Sequence, residues 1–126
     1  MKLSESEWQI MNALWSGHPA TARDLAERFP DEVTWAYTTI KTMLSRLVAK
    51  GAVAESKRGN TSVYEPLVSR RRARRSALGR LLETAFDGGV APLVNFLAED
   101  GDLSDAQRRE LIEILERENG RRKDGD

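Results

Sequence analysis

TWAYTTIKTMLSRLVAKG, running from Thr34 to Gly51, is the stretch whose reading decides the fold. Its apolar residues Ile40, Met43, Leu44, Leu47 and Val48 recur at helical spacing, so it predicts one helix of about four turns with a single buried stripe. The opposite face carries Thr38, Thr39, Lys41, Thr42, Ser45 and Arg46, and no carboxylate occurs from Thr34 to Lys50. A surface helix kept only for solubility usually mixes both signs; this one offers small hydroxyls and cations alone. Those groups suit the DNA major groove. Threonine methyls pack on thymine methyls, hydroxyls bond bases or phosphates, and Lys and Arg reach guanine or the backbone. The plainer alternative is a core helix whose outer face is basic by chance.

The flanks predict the remaining parts of a DNA-reading head. A first helix begins at Ser4, which has capping-box spacing to Glu7, and buries a stripe of Trp8, Met11, Leu14 and Trp15 with Ile10 at its edge. It stops at Gly17. His18, the sole histidine, falls in the following turn with no second ligand type nearby and reads as an exposed turn residue. Thr21 caps a second helix from about Ala22 to Phe29, with Ala22, Leu25, Ala26 and Phe29 inward. Lys50-Gly51 ends the third helix. Two alternating segments, 52–57 and 61–67, then flank Arg58-Gly59-Asn60 and predict a β-hairpin with Lys57 and Arg58 at its tip and Asn60 in its turn. Three helices and a basic hairpin make a winged helix-turn-helix. The third helix would enter the major groove while the wing grips phosphate or minor groove beside it. The expected fold class is mainly α with a small β-hairpin wing, followed by a helical dimerisation region.

At 126 residues the chain is one domain, or one small domain with an appendage. It has no cysteine, which removes disulfides, thiolate metal sites and a Cys nucleophile, and fits a reducing compartment. The start, MKLSESEW, lacks an apolar signal core, and no run approaches membrane length, so a cytoplasmic protein without membrane insertion is expected. With one histidine, no glycine-rich phosphate loop and no metal spacing, no catalytic residue, cofactor or metal site is nominated and an enzyme is not expected. The formal net charge of zero hides an asymmetry. Residues 1–75 hold 13 Lys and Arg against 8 Asp and Glu, and residues 76–126 hold 7 against 12. A basic front and an acidic rear suggest two parts with different partners.

The composition shifts after Val68. RRRARR, Arg70 to Arg75, opens a helix carrying Leu78, Leu81, Leu82 and Phe86. Cations there oppose the helix dipole, which favours phosphate contact by Arg70 and Arg71; a solvated helix start is the alternative. A short apolar helix with Leu93 and Phe96 follows Asp87-Gly88-Gly89. Ser104 and Gln107 then cap a last helix with Leu111, Ile112, Ile114 and Leu115, which Gly120 ends. Three short helices of about 50 residues are too small to close a core alone. Packing against a second copy, through Leu78, Leu81, Leu82, Phe86, Leu93, Phe96, Leu111, Ile112 and Leu115, resolves this. Folding back on the winged helix is the alternative. The expected organisation is a DNA-binding domain over 1–68, a dimerisation domain over 69–120 and a flexible tail over 121–126.

ESEWQIMNALW, TARDLAE, W-x-x-TTIKTMLSRLVAKG and a wing ending VYEPLV together resemble the penicillinase-repressor family, the BlaI/MecI/CopY-type transcriptional regulators. The resemblance covers nearly the whole chain. It implies a homodimeric repressor on an inverted-repeat operator, controlling antibiotic resistance, with Thr38, Thr39, Lys41, Thr42 and Arg46 where the recognition helix meets DNA. Copper-responsive members carry a C-terminal cysteine cluster, which this chain lacks. β-Lactam-responsive members are inactivated by proteolysis at an Asn-Phe bond, and Asn95-Phe96 stands at the matching place. The resemblance therefore implies a membrane sensor metallopeptidase as a further candidate partner. A polar residue beside a core Phe is the plainer account of the pair. The competing function is a winged-helix protein-interaction module without a specific DNA target.

Overall fold

The computed structural model describes residues 1–101 and 103–124. They divide into two compact units, Met1–Gly79 and the residues from Arg80 onward.

In the first unit, helix α1 spans Glu5–Trp15 and opens with the Ser4–Glu7 capping box. Helix α2, Ala22–Ala26, opens with a second box, Thr21 with Asp24. Helix α3 spans Tyr37–Ala49, shorter than the predicted stretch because Thr34 to Ala36 lie outside regular structure, with Ala36 extended, and Trp35 packs edge-on to Phe29 with ring centroids 5.2 Å apart. Its end is a Schellman turn: the Ala52 N–H donates to Leu47 O at 2.9 Å and Gly51 N–H to Val48 O at 3.0 Å, with Gly51 at φ +82°.

Strands β1, Val53–Arg58, and β2, Thr61–Pro66, pair antiparallel from Val53↔Pro66 to Arg58↔Thr61. Gly59-Asn60 closes the hairpin, with Gly59 at φ +64° taking the conformation a side chain resists. Ala20 extends the sheet by one residue, exchanging both backbone hydrogen bonds with Tyr64 at 2.8 and 3.0 Å.

The core gathers Ile10, Met11 and Leu14 from α1, Leu25 from α2, Ile40, Leu44 and Leu47 from α3, and Val53 and Tyr64 from the hairpin. The two aromatic anchors expected in α1 sit at its rim instead. Trp8 and Trp15 are half-buried, 5.9 Å apart, and Ile10 rather than Trp8 is at the centre. Ala26, expected inward, is exposed because α2 ends there.

Helix α4, Arg70–Ala85, starts on the first unit, where Ala73 is buried, and runs across the division. In the second unit, helix α5 spans Val90–Glu99 and α6 spans Asp105–Asp124. The Phe86 and Phe96 rings pack 5.8 Å apart, and Ser104 with Gln107 forms the expected capping box. Gly120 does not end α6, which continues to Asp124. Among the described residues no helix is long and apolar enough to cross a membrane.

Candidate nucleic-acid interface

The outer face of α3 is built as its sequence implies. Thr38, Lys41, Thr42, Ser45 and Arg46 are exposed and Thr39 is half-buried. Thr38, Thr39, Thr42, Met43 and Arg46 line one shallow depression. The Thr42 hydroxyl donates to Thr38 O at 2.9 Å and the Ser45 hydroxyl to Lys41 O at 3.1 Å. With their protons so engaged, both oxygens keep lone pairs to accept from an outside donor, and Thr42 also keeps its methyl. Lys41 Nζ stands 5.7 Å from the centroid of the Tyr37 ring.

The start of α3 differs from those of α1 and α2. Its N-cap is Ala36, and among the described residues no side chain caps it. Thr39 N–H donates to Ala36 O at 3.0 Å, which leaves the positive end of the helix dipole with the Tyr37 and Thr38 N–H groups to meet an external anion. The far end of α3 is fixed. Lys50 Nζ donates to Glu7 Oε1 at 2.6 Å and to Lys2 O at 2.9 Å. Burial pushes the Glu7 carboxyl up, but the Lys50 hydrogen bond and then those with Ser4 outweigh it, and the net is a lowered pKa.

Two further contacts hold the head together. Arg28 Nη1 donates to Ala13 O and Gly17 O at the end of α1, at 3.0 and 2.5 Å, supplying the cation that α1 lacks in its last turn. Trp15 Nε1 donates to Val68 O at 2.9 Å, tying the exit of the wing to α1.

The hairpin register separates the wing cations. Directly opposed residues share a face, so Lys57 lies with Ser62, Glu55 and Tyr64, while Arg58 lies with Thr61 on the other side. Both are exposed, as is Asn60. Glu55 is the acceptor for the Tyr64 hydroxyl at 3.4 Å. Burial first, then the Glu55 charge, raise the Tyr64 phenol above its ordinary value. Tyr64 is thus a wing-to-core anchor.

The arginine run divides in the same way. Ser69 caps α4, its hydroxyl accepting from the Arg72 N–H at 3.1 Å. Arg70 and Arg71 are both exposed, and Arg70 has its guanidinium 5.6 Å from the centroid of the Trp15 ring.

Of the residues nominated for dimerisation, Leu78, Leu81, Phe96, Leu111, Ile112 and Leu115 are exposed in the single chain; Leu82, Phe86 and Leu93 are half-buried. Asn95 and Phe96 are both exposed, inside α5.

Sequence reading missed Tyr37, the contact between Glu7 and Lys50, and the cap at Ser69. Tyr37 lies three residues before Ile40, in line with the buried stripe, so periodicity hides it; it is 51% exposed. The Ser69 cap was findable, since a hydroxyl stands just before the arginine run.

The chain is similar to several known proteins. The chain is 34% identical over 117 residues to the transcriptional regulator BlaI of Mycobacterium tuberculosis, covering 90% of this chain and 85% of that one. It is 29% identical over 114 residues to the methicillin resistance regulatory protein MecI of Staphylococcus aureus, covering 90% and 93%. A solved structure, the monomeric form of Bacillus licheniformis BlaI in complex with the blaP half-operator, is 29% identical over 57% of this chain and 88% of that chain, with a TM-score of 0.49. The penicillinase repressor family model matches residues 3–117. This chain belongs to the penicillinase-repressor family.

Proposed function

We propose that this chain is a homodimeric transcriptional repressor that places α3 of each copy in the major groove of an inverted-repeat operator. The observation that carries the proposal is the α3 face, with Thr38, Lys41, Thr42, Ser45 and Arg46 exposed and no carboxylate among them. Thr39 contributes at its half-buried edge. The uncapped start of α3 offers N–H groups to a phosphate, and the wing, through Lys57, Arg58 and Asn60, reaches the backbone alongside. Arg71 extends that contact, while Arg70 is shared with Trp15.

A second copy of the chain is the natural cover for Leu78, Leu81, Phe96, Ile112 and Leu115, apolar groups that stand in solvent in a single chain. Names among the relatives point to the regulated genes: one is a methicillin resistance regulatory protein and another a penicillinase repressor. Control of β-lactam resistance or a related stress response follows as part of the proposal. So does relief by proteolysis at Asn95-Phe96, with a membrane sensor metallopeptidase as the agent. A protease needs an extended segment, and α5 supplies one at low cost. Among the described residues it has no buried residue and no side-chain cap at Gly89.

The test is a gel shift of the full chain on duplex DNA across a salt series. Binding should fall steeply, each phosphate contact adding about −0.9 to the log–log slope. No shift even at low salt refutes the proposal and leaves a protein-interaction module.

A further inference from the structure

Tyr37 is an exposed aromatic residue with no visible structural employment. It is 51% exposed, in the first turn of α3, and is not among the residues packed on the core. It adds nothing to the cap of its helix, which has none from a side chain. Aromatic residues are also mediocre helix formers. Its ring is met by Lys41, one turn along the same face, whose ammonium stands 5.7 Å from the ring centroid, while its phenol is near enough to Tyr64 to add slightly to that group's raised pKa. Residues four apart on a helix are neighbours, so the ring restricts where the Lys41 head can go. In helix-turn-helix proteins the N-terminal residues of the recognition helix meet base edges. A lysine acts at guanine O6 and N7, and an apolar surface acts at the thymine methyl. A free lysine has many rotamers and recognises poorly; one held on a ring loses less freedom on binding.

We propose that Tyr37 is a specificity-determining residue: it holds Lys41 over the first turn of α3, so that the two read adjacent base pairs as one unit. Lys41 donates to a guanine, and the Tyr37 ring covers the neighbouring thymine methyl. The proposal rests on the DNA-binding reading above and adds to it a residue and a base step.

Selection from a random duplex pool tests it, using the full chain beside Tyr37→Ala, Tyr37→Phe and Lys41→Ala. Tyr37→Ala and Lys41→Ala should lose base preference at the same one or two adjacent positions. Tyr37→Phe, which keeps the ring, should keep the preference. On the selected duplex, the double variant Tyr37→Ala/Lys41→Ala should bind no more weakly than about twofold below Lys41→Ala, because the pair acts as a unit. Thermal melts of the five proteins separate a loss of fold from a loss of recognition. A Tyr37→Ala chain that selects the unaltered sequence overturns the proposal, as do losses at separate positions that multiply. If the unaltered chain enriches no sequence while Tyr37→Ala likewise enriches none, the DNA reading fails and this inference fails with it. Enrichment by the unaltered chain with no effect of Tyr37→Ala defeats this inference alone.

Discussion

The Lys50 ammonium at the end of α3 lies 2.6 Å from Glu7 Oε1 at the start of α1. This pair joins the far end of α3 to the capping box of α1. Glu7 is 4% exposed, and among the described residues its second oxygen, Oε2, has no partner. A carboxylate so placed is tolerable only while Lys50 and Ser4 satisfy the other oxygen. Lys50 is the more open partner at 39% side-chain exposure, so solvent screens part of the attraction.

Lys50→Met should therefore destabilise the chain by about 1 kcal/mol near neutral pH, the low end for a charge-assisted bond after screening. The pH dependence has a definite sign. The folded pKa of Glu7 is lowered from 4.5, so its stability contribution is complete above that value and is lost as pH falls through the lowered one. Lys50→Met removes the largest lowering influence, so its acid unfolding should begin at higher pH than in the unaltered chain. Melts over a pH series, with Glu7→Gln completing the double-mutant cycle, measure both effects. Equal acid limbs would show that the pair does not act in the folded state.

On α3, Lys41→Ala and Thr42→Ala should each weaken specific binding by roughly 1–3 kcal/mol with little change in melting temperature. Titration on a mapped operator decides it, and unchanged affinity in both would move recognition elsewhere.

For the wing, Lys57→Ala with Arg58→Ala should weaken binding to all sequences alike and flatten the salt slope by about one. The two side chains lie on opposite faces of the hairpin, so one of the single substitutions should account for most of the loss. A loss confined to one sequence would place these residues on bases.

Arg70 and Arg71 are neighbours with different expected phenotypes. Arg70→Ala removes the group over Trp15 and should lower stability by about 0.5–1 kcal/mol. Arg71→Ala should leave the melt unchanged and flatten the salt slope instead. Melting and salt titration of both variants separate the two roles; identical behaviour would contradict the division.

A chain ending at Asn95 keeps the whole core of the first unit, whose members run from Ile10 to Tyr64. It loses α6 with Leu111, Ile112 and Leu115. It should stay folded, sediment mainly as a monomer, and bind an inverted repeat roughly 10²- to 10⁴-fold more weakly, because the second half-site is no longer an intramolecular event. A truncated chain that remains a tight dimer with unchanged affinity would remove the proteolytic switch.

Local chemistry made much of this legible. Ser4 with Glu7, Ser104 with Gln107, Gly51 and Gly59-Asn60 act over a few residues, and each boundary they marked is close to its place. Periodicity located Ile40, Leu44 and Leu47. What escaped depends on distance in sequence. Lys50 and Glu7 are 43 residues apart, and Trp15 bonds Val68 across 53. Trp8 read as core because of its size, yet the centre of the bundle went to Ile10. Tyr37 escaped for the opposite reason, being in phase with the buried stripe but past its end. The α6 helix passes Gly120 because a single glycine costs a helix only about 1 kcal/mol.

Footprinting of the full chain on its selected operator, beside Lys41→Ala/Thr42→Ala, brings these strands together. The dimeric DNA reading predicts two protected major-groove segments, related by the inverted repeat and spaced by about 10 base pairs or a multiple of it, both lost in the variant. A single protected segment, or protection that survives the loss of Lys41 and Thr42, would contradict it.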